Sequence, residues 1–281
     1  MDMDMSLAPV GVFDSGVGGL TVAREIIRQL PNEKIVYFGD TARVPYGSKS
    51  KNNIIKYSKQ ICNFLKTKNV KAIVIACNTA SALALEEIRP ELDIPIIGVI
   101  EPGAKTAIEH TRNKKIGIIA TEATISSNIY ADVITRTDET ITVLGKACPL
   151  FVPLVEEGWT KDPVTEEVAK RYLEYFKEQD VDTLVLGCTH YPLLRNMIGN
   201  IMGETVSLVN PAYETALCLG KLLEEKNLAA GNEHRYESNM YEFYVSDTAE
   251  KFKRFANSIM PFHIENIEQI NIEEYPTVLG C

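Results

Sequence analysis

The pattern that most restricts the fold is an alternation. Short runs of Ile, Val, Leu and Ala recur along the chain, separated by stretches with apolar residues at helical spacing. The runs are Val10–Phe13, Ile35–Phe38, Ala72–Ala76, Ile94–Ile100, Ile116–Ala120, Ile141–Leu144, Thr183–Leu186 and Val206–Val209. They are nearly continuous rather than alternating, as expected of strands covered on both faces in a parallel sheet. Between them, Val22, Ala23, Ile26, Ile27 and Leu30 mark one helix face, and Leu193, Leu194, Met197, Ile198 and Ile201 mark another. Strands alternating with helices predict an α/β fold with mainly parallel sheets.

The chain also echoes itself. VGVFDSGVG (Val10–Gly18) returns as IGIIATEAT (Ile116–Thr124), KAIVIACNTASAL (Lys71–Leu83) as DTLVLGCTHYPLL (Asp182–Leu194), and VIEPGAKTA (Val99–Ala107) as LVNPAYETA (Leu208–Ala216). The three echoes keep their order at offsets of 106, 111 and 109 residues. Two pseudosymmetric halves are therefore expected, meeting near Glu101 and Asn210. The tail after Asn210 carries a helical pattern (Glu214–Leu223), a polar loop around Gly231–Glu237, an alternating strand (Tyr241–Val245) and a second helical pattern (Ala249–Met260). It is short for a separate domain and is expected to complete the first half. The expected division is residues 1–100 with 211–281, and residues 101–210.

With 281 residues and 45% hydrophobic content the chain can build real cores. A net charge of −9 and the lack of a basic block argue against nucleic acid or an anionic membrane as partner. No apolar run approaches the roughly 20 residues of a membrane span, and MDMDMSLAPV does not read as a secretion signal. A cytoplasmic protein is expected. None of the six cysteines forms a CxxC pair, so a disulfide framework is not expected. Cys62 and Cys218 lie in helix-like apolar patterns and read as small buried hydrophobes, while Cys148 and Cys281 carry no legible role.

Cys77 and Cys188 differ from these. Each stands at the carboxyl end of an expected strand, where open α/β sheets bind ligands, and each directly precedes an expected helix. Asn78 or Thr79 is positioned to cap the first helix, and Thr189 or His190 the second, with Pro192 in its first turn. Free N–H groups at a helix start favour thiolate over thiol, so both cysteines are expected to titrate below the reference of about 8.5. One such cysteine suggests a nucleophile. Two at matching places in symmetric halves suggest proton transfer on opposite faces of a stereocentre. One thiolate removes a proton and the facing thiol returns one, which is racemisation. Asp14-Ser15-Gly16, the turn Val44-Pro45-Tyr46-Gly47, and the donors Asn78, Thr79 and Thr189 supply a cradle for a carboxylate. Helix capping alone would also explain Asn78, Thr79 and Thr189.

FDSGVGGLTV (Phe13–Val22), VPYG (Val44–Gly47), ACNTASA (Ala76–Ala82), VPLVEEG (Val152–Gly158) and GCTHYPLL (Gly187–Leu194) resemble the signature segments of glutamate racemases, in the aspartate/glutamate racemase family. The resemblance implies two α/β halves with the active-site cleft between them. It implies Cys77 and Cys188 as the acid–base pair, with Asp14 near one thiol and His190 with Glu156 near the other. It places Asp14, Ser15, Tyr46, Gly47, Asn78, Thr79, Thr121, Thr189 and His190 around glutamate. It further implies chemistry without a cofactor or metal, D-glutamate made for peptidoglycan, and a homodimer. Rival readings are an aspartate racemase with the same mechanism, a non-catalytic amino-acid binding protein, a cysteine hydrolase built on Cys188 and His190, and a zinc site that those two residues would only half supply. A pyridoxal-phosphate racemase lacks a convincing lysine motif.

Overall fold

A computed structural model describes residues 4–231 and 240–279. Cys281 and most of the expected polar loop, residues 232–237, lie outside the described residues. In chain order the strands are β1 (Val10–Asp14), β2 (Ile35–Gly39), β3 (Ala72–Ile75), β4 (Ile96–Gly98), β5 (Lys115–Ala120), β6 (Thr142–Ala147), β7 (Thr183–Gly187), β8 (Ser207–Val209), β9 (Tyr241–Val245) and β10 (Glu268–Gln269). The helices are α1 (Leu20–Gln29), α2 (Lys51–Thr67), α3 (Asn78–Ile88), α4 (Ile100–His110), α5 (Glu122–Ser126), α6 (Ile129–Thr137), α7 (Phe151–Glu156), α8 (Pro163–Glu178), α9 (Arg195–Met202), α10 (Pro211–Glu225) and α11 (Ala249–Ile259).

Two parallel sheets result. One has the order β10-β9-β2-β1-β3-β4 and the other β6-β5-β7-β8. The core order β2-β1-β3-β4 therefore repeats as β6-β5-β7-β8, and β1 and β3 correspond to β5 and β7, as the sequence echoes require. The halves differ because β9 and β10, from the tail, extend the first sheet: β9 pairs with β2 from Ile35↔Tyr241 to Gly39↔Val245.

Burial explains the apolar runs. Side chains of β2 alternate between two cores: Ile35 and Tyr37 pack with α1, α10 and α11, while Val36 and Phe38 pack with α2 and α3. With both faces covered, neither register is free for a polar residue. In the second sheet, Ile119 and Leu186 face the side of α7–α9, and Ile118 and Val185 the side of α4 and α6.

The chain crosses between sheets twice. After β4 it enters α4, whose Ile100, Ala104 and Ala107 pack on the second sheet. After β8 it enters α10, whose Ala212, Ala216 and Leu219 pack back on the first. The crossing is tight: a Cβ on Gly103 would come within 3.0 Å of Pro211.

Two expected elements changed. The run Ile94–Ile100 yields only Ile96–Gly98 as strand, because Ile100 already starts α4. The helix expected after Cys188 opens as a 3-10 turn at Tyr191–Leu194 and becomes α-helical only at Arg195.

Candidate active site

The carboxyl ends of β1, β3, β5 and β7 deliver Asp14, Cys77, Thr121 and Cys188 to the seam between the sheets. A small cavity of about 50 Å³ lies there. Cys77 and Cys188 both line it, together with Ser15, Tyr46, Gly47, Asn78, Thr79, Thr121, Glu156, Thr189 and His190, and also Gly16, Val44, Pro45 and Val152. Asp14 stands behind this lining, wholly buried.

Around Cys77 the structure corrects an expectation. Neither Asn78 nor Thr79 caps α3. Cys77 is itself the N-cap, its Sγ accepting from the Ala80 N–H at 3.5 Å. Its thiol faces Ser15 Oγ at 3.7 Å. The helix start does not lower its pKa. Burial, with the nearby Asp14 charge, pushes the Cys77 thiol up to about 12, outweighing the Ala80 and Ser15 hydrogen bonds. Asp14 is also raised, because burial outweighs the His190 charge and the backbone N–H donors of Gly19, Gly16 and Ser15. Asp14 Oδ2 accepts from Gly16 N at 3.0 Å, whereas buried Oδ1 has no hydrogen-bond partner among the described residues.

Around Cys188 the partners are different. Neither Thr189 nor His190 caps a helix through its side chain. Instead His190 Nδ1 lies 3.8 Å from Cys188 Sγ, and His190 Nε2 lies 3.2 Å from Glu156 Oε1. Burial opposes charge on this imidazole, but the hydrogen bonds to Cys188 and Glu156 win and push it up to about 10. Burial likewise opposes charge on Glu156, yet His190 and Lys251 hold the carboxylate down at about 2. These partners favour the imidazolium over the neutral ring.

The two halves touch closely here. Gly18 stands where any Cβ would fall 2.3 Å from Thr189 Oγ1 and 2.5 Å from His190 Cε1, so only glycine lets the segments meet. Thr21 Oγ1 lies 2.9 Å from Thr189 O. Across the cavity, the Thr79 and Thr121 hydroxyls are 2.9 Å apart, and Thr121 caps α5.

The comparisons agree with this geometry. The family model for Asp/Glu/Hydantoin racemase matches residues 10–216, a span that holds both cysteines and the whole cavity lining. The chain belongs to the aspartate/glutamate/hydantoin racemase family. It is 48% identical to a glutamate racemase from Geobacter metallireducens over 94% of this chain and 97% of that one. Among solved structures, this racemase-family chain superposes with TM-score 0.89 on a glutamate racemase isoform from Bacillus anthracis, at 40% identity and covering 94% of this chain and 97% of that one. It superposes with TM-score 0.88 on the Francisella tularensis glutamate racemase in complex with D-glutamate, at 39% identity, covering 96% and 100%. Among the described residues no group of His, Cys, Asp and Glu could hold a metal ion, and no helix is long and apolar enough to cross a membrane.

Sequence reading missed the supports behind the lining. Tyr130 on α6 donates to Asn78 Oδ1 at 2.8 Å, which turns the amide N–H₂ of Asn78 away from it. Tyr37 donates to Gly16 O at 2.8 Å, and the Tyr46 hydroxyl donates to Asp40. Lys251 on α11 reaches Glu156. These partners lie 6 to 95 positions away in sequence, and no local pattern marks them.

Proposed function

We propose that this racemase interconverts L- and D-glutamate by two-thiol acid–base chemistry. The observation that carries the reading is the pair Cys77 and Cys188, contributed by equivalent strand ends of the two sheets and lining one cavity. One thiolate takes the α-proton as the Cα–H bond breaks, and the electron pair stays on the substrate. The opposite thiol then gives its proton to the other face of Cα. The enzyme ends with thiol and thiolate exchanged, and the reverse reaction uses them in the opposite order.

The surroundings suit a weak carbon acid. A thiolate whose conjugate acid lies near 12, as burial makes Cys77, is a strong base once formed. The ammonium group of an incoming amino acid would bring the positive charge that helps form it. Asp14 stands behind the lining, and its buried Oδ1 has no hydrogen-bond partner among the described residues, which supports reading it as a group that takes the Cys77 thiol proton. On the other side the His190 imidazolium can share a proton with Cys188. Asn78, Thr79, Thr121 and Thr189, with the backbone of Ser15, Tyr46 and Gly47, offer donors to the substrate carboxylates.

Glutamate as substrate is supported by the names of the relatives. The family resemblance further assigns D-glutamate to peptidoglycan synthesis, the chain to the cytoplasm, and its assembly to a homodimer. The chain crossings support a division into residues 1–100 with 211–281 and residues 101–210. Purified protein is to be incubated with L-glutamate in deuterated water, with no cofactor added. Loss of optical rotation with deuterium at Cα of the D product is the expected result. Turnover of aspartate alone would overturn the substrate, and binding of glutamate without exchange would overturn catalysis.

A further inference from the structure

The His190–Glu156 pair does not end at Glu156. Glu156 Oε1 faces His190, and its Oε2 accepts from Lys251 Nζ at 2.8 Å. Lys251 belongs to α11, whose Phe252 and Ala256 pack in the core of the first sheet. Glu156 ends α7, whose Phe151 and Val155 pack in the core of the second. A line of contacts therefore runs from the tail helix across the seam: Lys251, Glu156, His190, Cys188. On the Cys77 side, the buried Asp14 Oδ1 has no hydrogen-bond partner among the described residues.

We propose that Lys251 is a positioning residue for the reaction, holding Glu156 so that the carboxylate orients His190 against Cys188. This inference rests on the racemase reading above, in which His190 serves Cys188. A carboxylate with one oxygen fixed by an ammonium has only the other left to aim, so Lys251 sets the direction in which Glu156 accepts from Nε2–H. That bond in turn turns Nδ1 toward the sulfur, as a second partner commonly fixes which ring nitrogen of a histidine faces its target. The Lys251 side chain is 56% exposed, so the ion pair itself adds little to folding stability. Its effect belongs in orientation and protonation. The charged groups around the pair are Asp14 from the end of β1, Lys251 and Arg254 from α11, and Glu157 beside Glu156. Loss of the Lys251 charge alone would let the imidazolium keep its proton to higher pH, so an earlier loss of the proton reports on the Glu156 contact rather than on the change of field.

The test compares Lys251→Met and Lys251→Arg with the wild type. Turnover is measured from both enantiomers, and the four histidines of the chain are followed by 15N NMR titration. For Lys251→Met the expected kcat is about five- to tenfold lower, with KM within twofold and the melting temperature nearly unchanged. The His190 imidazolium, placed at about 10 in the wild type, should lose its proton at least one pH unit earlier. Lys251→Arg should restore both kcat and the titration. An unchanged His190 titration with unchanged kcat in Lys251→Met overturns the inference, as does equal impairment of the Met and Arg variants. If the wild type itself does not racemise glutamate, the racemase reading fails, and the NMR titration still decides whether Lys251 governs His190.

Discussion

Cys77 and Cys188 occupy matching strand ends but meet different chemistry, an anionic neighbour for one and an imidazolium for the other. Cys77→Ser and Cys188→Ser should each lower racemisation on the order of a thousandfold, because a hydroxyl is a far weaker acid than a thiol. Polarimetry from either enantiomer measures this, and a variant retaining near-normal turnover would end the two-base model. Asp14→Asn and His190→Asn should keep part of the activity. Because the equilibrium constant stays near one, kcat/KM must fall equally in both directions. The unequal helpers should then show as kcat values that split between L- and D-glutamate, with KM shifting to compensate. Unchanged kcat in both directions would reduce Asp14 and His190 to binding roles. Stability should follow the same charges. His190, raised from 6.5 to about 10, contributes stability that is complete below about pH 6.5 and lost as pH rises through 10. Glu156, lowered from 4.5 to about 2, contributes stability that is complete above about pH 4.5 and lost as pH falls through 2. The melting-temperature gap between wild type and Glu156→Gln should therefore be widest between about pH 4.5 and 6.5.

At the scale of elements, side chains from one half hold functional groups of the other. Tyr130 on α6 fixes the amide of Asn78, at the start of α3, with its N–H₂ free to donate. Tyr130→Phe removes a hydrogen bond worth about 1 kcal/mol and lets the amide turn. A roughly five- to tenfold rise in KM with little loss of kcat is expected, and steady-state kinetics checks it. An equal fall in kcat would show that Asn78 acts in the transition state instead. The cysteine environments also show how elements override local rules. A helix start favours a thiolate, and α3 does begin at Cys77. The strands and helices that bury this sulfur cost the thiolate more than the helix end returns, so the thiol rises instead of falling. No reading of Ala76–Ala82 alone contains that balance.

For the whole molecule, the site is a seam rather than a groove in one sheet. Its cavity of about 50 Å³ has room for a few waters, too little for an amino acid with two carboxylates. Entry of glutamate is therefore expected to require the halves to part and to close again over it. The two chain crossings, into α4 and into α10, are the expected hinges, and the close fit of Gly18 against Thr189 and His190 is expected to limit how tightly the halves shut. Gly18→Ala should hold the halves apart, with kcat reduced at least about tenfold and a smaller effect on melting temperature. The single tryptophan, Trp159, follows α7 and is 48% exposed. Its fluorescence should change with D-glutamate in the wild type and less in Gly18→Ala, and an identical response would place the closure elsewhere.

The α/β class, the repeat of strand order and most strand positions are legible in the chain alone, because strands buried on both faces leave short Ile and Val runs that alternate with longer amphipathic stretches. The two candidate cysteines and most of the residues that line their cavity are legible there too, because each sits in the few residues directly after a strand, where the turn to the next helix leaves a local signature. What depends on distance through space came from the packing of the folded chain. It added β9 and β10 to one sheet only, made Cys77 its own helix cap, and raised the Cys77 thiol by burial. It brought Tyr130 to Asn78, and Lys251 to a Glu156 lying 95 positions away. Such partners are chosen by packing between elements, and packing leaves no mark in the spacing of either partner alone.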